Sequence, residues 1–160
     1  MSSNRYKIKV VGSFGQPSYL AFFLGGILNL FVYGTLRKKD IRSSFLKNSK
    51  YLGEFVTQPK YSLYNLGSFP AITKDGDTAI VGEVYEINDA DTLYQIDLIE
   101  GHPNFYTRLP IDIDFSQSRE IVNNFSQADV DCEAYFLLSR DMDSYEKIST
   151  GDWFSVPSPF

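Results

Sequence analysis

The sequence predicts a strand-dominated α+β domain with one or two helices packed on it, and three observations predict it. Short apolar or alternating runs rich in β-branched and aromatic residues recur along the chain. A single capped segment with helical periodicity falls among them, and no linker rich in Pro, Gly or Ser divides the chain. With 160 residues, 43% hydrophobic and 16% aromatic, the chain has enough apolar side chains to fill one core of ordinary size.

The run Ile27 to Tyr33 is apolar, rich in strand formers and ended by Gly34, so it reads as a buried strand with a turn at its carboxyl end. Asp40 to Lys47 suits a short helix. Tyr51 to Phe55 and Lys60 to Tyr64 read as strands separated by Gln58-Pro59, and Leu66 to Ile72 reads as an aromatic loop stiffened by Pro70. Lys74-Asp75-Gly76-Asp77 carries a turn signal before the β-branched run Ala79 to Ile87, in which Gly82 points to a bulge or a close backbone approach. Asn88 offers an N-cap with Asp89 and Asp91 in the first turn, and Gly101 stops the helix at C′. Leu109 to Phe115 and Cys132 to Leu138 alternate as strands, Ser116 to Asp129 reads as a polar excursion, and the tail from Gly151 reads as irregular.

Residues 28–160 therefore form a single domain, preceded by an N-terminal extension at 1–27. In the extension Arg5, Lys7 and Lys9 lead into an uncharged run that contains Tyr19 to Leu24, the pattern of a signal or membrane anchor. Gly12, Gly15 and Pro17 interrupt that run, and no small-residue cleavage site follows it, which weighs against a membrane segment. A further reading starts translation near Leu28 and makes the preceding residues upstream sequence.

The formal net charge of −5 gives no general attraction for nucleic acid or anionic lipid. One cysteine, Cys132, cannot pair within the chain, and with His102 as the one histidine there is no metal-ligand set of the usual spacing. A reducing, cytoplasmic setting without cofactor or metal follows as the expectation. Ser-His-Asp and Cys-His catalysis lack any supporting motif, since no Gly-x-Ser-x-Gly occurs and Cys132 sits on the apolar phase of its strand.

One carboxylate is out of place. Leu93, Ile96 and Glu100 share a helix stripe, so Glu100 points where the apolar residues point. Burial and the negative end of the helix dipole both favour the neutral acid there, and such a carboxyl is a proton shuttle near neutral pH. The competing reading is a frayed helix end with Glu100 in solvent. Asp97, on the edge of the stripe, reads as an exposed helix carboxylate or as a helper of Glu100, Glu83 and Glu86 read as unremarkable strand carboxylates, and His102 reads as a surface-loop residue or a second acid-base group.

Phe31-Val32-Tyr33-Gly34-Thr35-Leu36-Arg37, Leu63 to Ile72, Val81-Gly82-Glu83-Val84-Tyr85, and Ile96 to Gly101 followed by Tyr106-Thr107-Arg108 converge on one family. In order and spacing, with Ala134-Tyr135 and Gly151-Asp152-Trp153, they resemble the gamma-glutamylcyclotransferase-like superfamily, especially its gamma-glutamylamine cyclotransferase branch. The resemblance implies a small mixed, barrel-like sheet with packed helices. It implies that Tyr33, Gly34, Thr35 and Leu36 hold the glutamyl α-amino and carboxylate groups, that Tyr106 and Tyr135 border the pocket, and that Glu100 is the catalytic acid-base. The implied reaction is intramolecular: a γ-glutamyl α-amine attacks its own γ-carbonyl, giving 5-oxoproline and a released amine. A different class remains open on the same fold, a module that captures a small metabolite or nucleotide-like ligand without cleaving it.

Overall fold

Strand β1 (Leu28–Val32) runs through the middle of the molecule, and its alternation decides the architecture. Phe31 faces one buried cluster, whereas Leu30 and Val32 face another on the opposite side of the sheet. A strand buried on both faces needs cover on both. The computed structural model that supplies this view describes residues 27–117, 120–121, 130–138 and 140–157. Of the N-terminal extension only Ile27 is among them, and most of the Ser116 to Asp129 excursion likewise lies outside the described residues.

After β1 come β2 (Lys50–Thr57), β3 (Tyr61–Asn65), β4 (Pro70–Thr78) and β5 (Val81–Ile87), then the helix α1 (Ala90–Glu100). β6 (Thr107–Ile111), β7 (Ile113–Asp114), β8 (Glu120–Ile121), β9 (Cys132–Phe136) and β10 (Glu146–Lys147) complete the sheet. The strand order is β10-β3-β4-β9-β1-β5-β2-β7, with β6 paired to β9 and β8 to β2. β9 lies parallel to both β1 and β4, and the other pairings are antiparallel, so the sheet is mixed. Tyr61 near one end of this order and Phe55 near the other belong to the same buried cluster, so the sheet curls around it. Gln58 N–H to Asp112 O, 2.9 Å, and Asp112 N–H to Tyr61 Oη, 2.9 Å, tie the curled margins together. The opposite face is covered by α1 through Leu93 and Ile96, which gives an α+β fold with one α-helix among the described residues.

Several local expectations shift by a few residues, each for a visible reason. Asp89, not Asn88, caps α1: its backbone is extended and its carboxylate accepts from Asp91 N–H and Thr92 Oγ1. Gly101 ends the helix in the left-handed region at φ 65°, as the sequence predicts. The Asp40 to Lys47 helix contracts to a 3-10 turn over Ser43–Leu46. Lys74 to Asp77 does not separate two strands. It bulges from β4, because the pairing with β3 jumps from Ser62–Thr73 to Tyr61–Thr78, and Ser62 Oγ holds the bulge through Asp75 O at 2.8 Å. The alternating run from Leu109 breaks at Asp112, where the chain leaves β9 and pairs with β2. Among the described residues no helix is long and apolar enough to cross a membrane, and no group of His, Cys, Asp and Glu is arranged to hold a metal ion.

Gly82 is required by contact rather than by turn geometry. A Cβ there would lie 2.5 Å from both Phe31 Cζ and Val32 O, inside the pairing of β5 with β1. Gly82→Ala is therefore expected to lower unfolding stability by roughly 1–3 kcal/mol in a denaturant titration, through overpacking against a fully buried ring.

Candidate active site

The chain leaving β1 turns at once, with Arg37 N–H donating to Gly34 O at 2.9 Å. Gly34 is needed because a Cβ would lie 2.7 and 2.8 Å from Pro70 Cγ and Cδ, so the loop rests directly on the start of β4. Its far end is fixed by Arg37, 2% exposed, whose Nε donates to Glu83 Oε2 at 3.1 Å and Nη1 to Asp152 Oδ1 at 2.7 Å. Glu54 lies 3.6 Å from Nη2, and the Phe154 ring stacks on the guanidinium. Glu83 also accepts from Lys38 N–H and Tyr85 Oη. Thus Glu83 is a buried anchor, contrary to its expected place as an unremarkable strand carboxylate. Burial was affordable only because three donors meet its two oxygens.

Tyr33, Gly34, Thr35 and Leu36 form one wall of a cavity with about 570 Å³ of empty space, part of it open to solvent. Glu100 enters from the end of α1, and Tyr106 and Tyr135 complete the lining, so all seven residues expected at the site are brought together. Glu100 is therefore not a frayed end. Its carboxyl pKa is raised to about 7, chiefly by burial and further by the Asp97 charge, with Arg42 pulling the other way.

The three tyrosines are both wall and scaffold. Tyr33 Oη donates to Tyr135 O at 2.7 Å and accepts from Ile72 N–H at 3.3 Å, bridging β9 and β4. Tyr106 Oη donates to Pro70 O at 2.7 Å, and Tyr135 Oη donates to Asp97 Oδ1. Burial raises the pKa of all three hydroxyls well above the ordinary tyrosine value, and the Glu100 charge adds to each. They therefore stay protonated and offer a ligand ring faces rather than free donors.

Asp97 corrects the sequence reading most clearly. It is 2% exposed, where an exposed helix carboxylate was expected. The strand β6 crosses behind α1 and delivers Arg108, whose Nε lies 3.1 Å from Asp97 Oδ1 and whose Nη1 reaches Glu133. A buried carboxylate with an arginine and a tyrosine donor is compensated, which helix periodicity alone does not reveal. His102 serves this scaffold: its Nδ1 accepts from Arg108 N–H at 3.0 Å, its ring stands edge-on to Tyr135, and burial lowers its pKa. It does not line the cavity. Cys132 is a core residue whose thiol is pushed up to about 12 by burial.

Sequence reasoning missed Arg42, Phe69 and Phe105 in the lining. For Arg42 the available signal was its place just beyond the loop, where its N–H donates to Thr35 O at 2.9 Å. Phe69 and Phe105 come together edge to face at 6.3 Å from loops far apart in sequence, which no local pattern predicts.

Comparison with known proteins identifies the family. A Vibrio cholerae relative is 42% identical over 86 residues, covering 54% of this chain and 73% of its own. A gamma-glutamylcyclotransferase family protein of Citrobacter rodentium is 34% identical over 126 residues, covering 79% and 95%. The crystal structure of an uncharacterized Pyrococcus horikoshii protein superposes with a TM-score of 0.61 at 26% identity, over 80% of this chain and 91% of that one. Residues 30–155 match the family described as "Gamma-glutamyl cyclotransferase, AIG2-like". That match spans the loop after β1, the Glu83 anchor, the helix carrying Glu100 and the Arg108 scaffold, and the chain belongs to this gamma-glutamylcyclotransferase family.

Proposed function

We propose that this protein cyclises the γ-glutamyl group of a small substrate to 5-oxoproline and releases an amine, with Glu100 as the acid-base. The observation that carries this reading is a carboxyl with a pKa near 7 facing a loop that can pin a zwitterion. The main chain of Gly34, Thr35 and Leu36 orients the α-carboxylate and α-ammonium so that the nitrogen approaches the γ-carbonyl carbon. Glu100 takes a proton from the ammonium, the freed amine attacks, and the new C–N bond closes the five-membered ring. The old amide C–N bond then breaks. The α-nitrogen sheds two protons in becoming a lactam, and Glu100 relays both to the departing nitrogen, which leaves as an ammonium. No nucleophile on the protein and no cofactor enters these steps, which use the chain's own groups.

The reaction is tested by assaying 5-oxoproline from a panel of γ-glutamyl amines, amino acids and peptides. Release from at least one compound supports the reading. Recovery of every compound intact, with ligand-dependent thermal stabilisation, replaces it with a binding module. Glu100→Gln keeps the shape and removes the proton relay, so turnover is expected to fall by at least about 100-fold while the melting cooperativity stays native. Unchanged turnover overturns the assignment of Glu100. In the wild type kcat/KM is expected to rise as pH passes through about 7, since the carboxylate must be ionised to accept the first proton.

The same burial has a stability signature. The folded pKa is raised above the ordinary value of 4.5, so the neutral carboxyl's contribution is fully present below that value and is lost as pH rises through about 7. Thermal melts should therefore show Glu100→Gln gaining on the wild type between about pH 5 and about pH 8.

A further inference from the structure

Among the described residues four arginines stand on or against the segments that build the site, one of them in the cavity lining, and the protein neutralises two of them. Arg37 is paired with Glu83 and Asp152, and Arg108 with Asp97 and Glu133. Arg42 lines the cavity beside Glu100 and Tyr106, yet among the described residues its guanidinium makes no hydrogen bond and no ion pair within 4 Å. Arg140 is exposed and stacks on the Phe105 ring, 4.5 Å from its centroid, and it too makes no ion pair among the described residues. The charges of both arginines reach Tyr106. In a chain of net charge −5, this leaves a locally cationic rim.

The rim also has a definite place along the substrate. Within the lining Phe31, Val32 and Tyr33 are buried, whereas Arg42, Phe69 and Phe105 are half-buried and so lie on its solvent side. If the loop after β1 pins the glutamyl α-groups and Glu100 attends the γ-carbonyl, the released portion lies between the Phe69–Phe105 pair and Arg42. The α-carboxylate and α-ammonium are common to every γ-glutamyl compound, so they give no discrimination. Charge on the leaving group does.

We propose that Arg42, supported by Arg140, is a specificity-determining residue that selects leaving amines carrying a carboxylate, as in a γ-glutamyl amino acid or short peptide, over neutral or cationic amines. This rests on the cyclisation reading above. A half-buried guanidinium meeting a carboxylate is worth roughly a tenfold preference, and a cationic amine meets repulsion instead.

The test compares kcat/KM, read as 5-oxoproline release, for γ-glutamylalanine, γ-glutamylethylamide and γ-glutamylputrescine. The expected wild-type order is carboxylate, then neutral, then cation, with the carboxylate-to-neutral ratio near tenfold and falling as salt is added. Arg42→Lys should keep most of that ratio, Arg42→Gln should bring it close to one, and Arg42→Glu should invert it. Arg140→Gln, at an exposed position, should reduce it by a smaller factor. Removing Arg42 also alters the ionisation of Glu100, but that affects all three compounds alike and cancels in the ratio. A wild-type ratio near one overturns the proposal, as does a ratio that survives both Arg42→Gln and Arg42→Glu while all rates fall together. The latter places Arg42 on the shared α-carboxylate. Release from none of the three, or of a wider γ-glutamyl panel, overturns the cyclisation reading itself, which separates the two failures. Should Arg42→Gln not fold, inversion of the ratio in Arg42→Glu and its partial loss in Arg140→Gln still support the proposal, and a ratio unchanged in both overturns it.

Discussion

The Arg37 guanidinium holds the site together. It stands where the loop after β1 rejoins the body of the protein, and it binds at once to β5 through Glu83 and to the carboxyl-terminal tail through Asp152. Both Arg37 and Glu83 are almost wholly buried. Removing either partner would leave a buried charge without compensation, a loss on the order of 3–5 kcal/mol. The loop therefore has one position relative to β5. On the proposed reading this loop binds ligand through its main chain, and such a loop must be held this way, because no side-chain rotamer can correct a misplaced backbone.

A second set of constraints comes from hydroxyl groups. Tyr33 joins β9 to β4, Tyr106 reaches the carbonyl of Pro70, and Tyr135 reaches Asp97 on α1. Each tyrosine lines the cavity and braces the element opposite it, so ligand shape and sheet geometry are set by the same atoms. Pro70 is touched from two sides, by Gly34 and by the Tyr106 hydroxyl. The start of β4 is thus a fixed floor rather than the aromatic loop that local sequence suggests.

Charge is layered behind this wall. Asp97 lies under Glu100 and raises its proton affinity, while Arg108 and Tyr135 keep Asp97 itself satisfied. On the open side Arg42 acts in the opposite sense. A carboxyl with a neutral-range pKa is the outcome of burial opposed by one cation and aided by one anion, and the one-dimensional stripe Leu93-Ile96-Glu100 captures only the burial.

Local chemistry was enough to read the β-rich α+β class, the strand β1 with its following turn and the helix stopped by Gly101, and it offered the inward direction of Glu100 as one of two readings. Each of these depends on residues within a turn or a strand of one another, where periodicity, glycine conformation and capping act. The sequence motifs also named the loop residues and the two tyrosines that the fold gathers. Tertiary structure alone decided that Asp97 and Glu83 are buried, that Lys74 to Asp77 is a bulge, and that Arg42 has no ion-pair partner among the described residues beside Glu100. Those outcomes turn on partners tens of residues away: Arg108 and Tyr135 for Asp97, Arg37 for Glu83, Ser62 for the bulge. A carboxylate is exposed or buried according to whether a donor is delivered to it, and that delivery is made by the curl of the sheet.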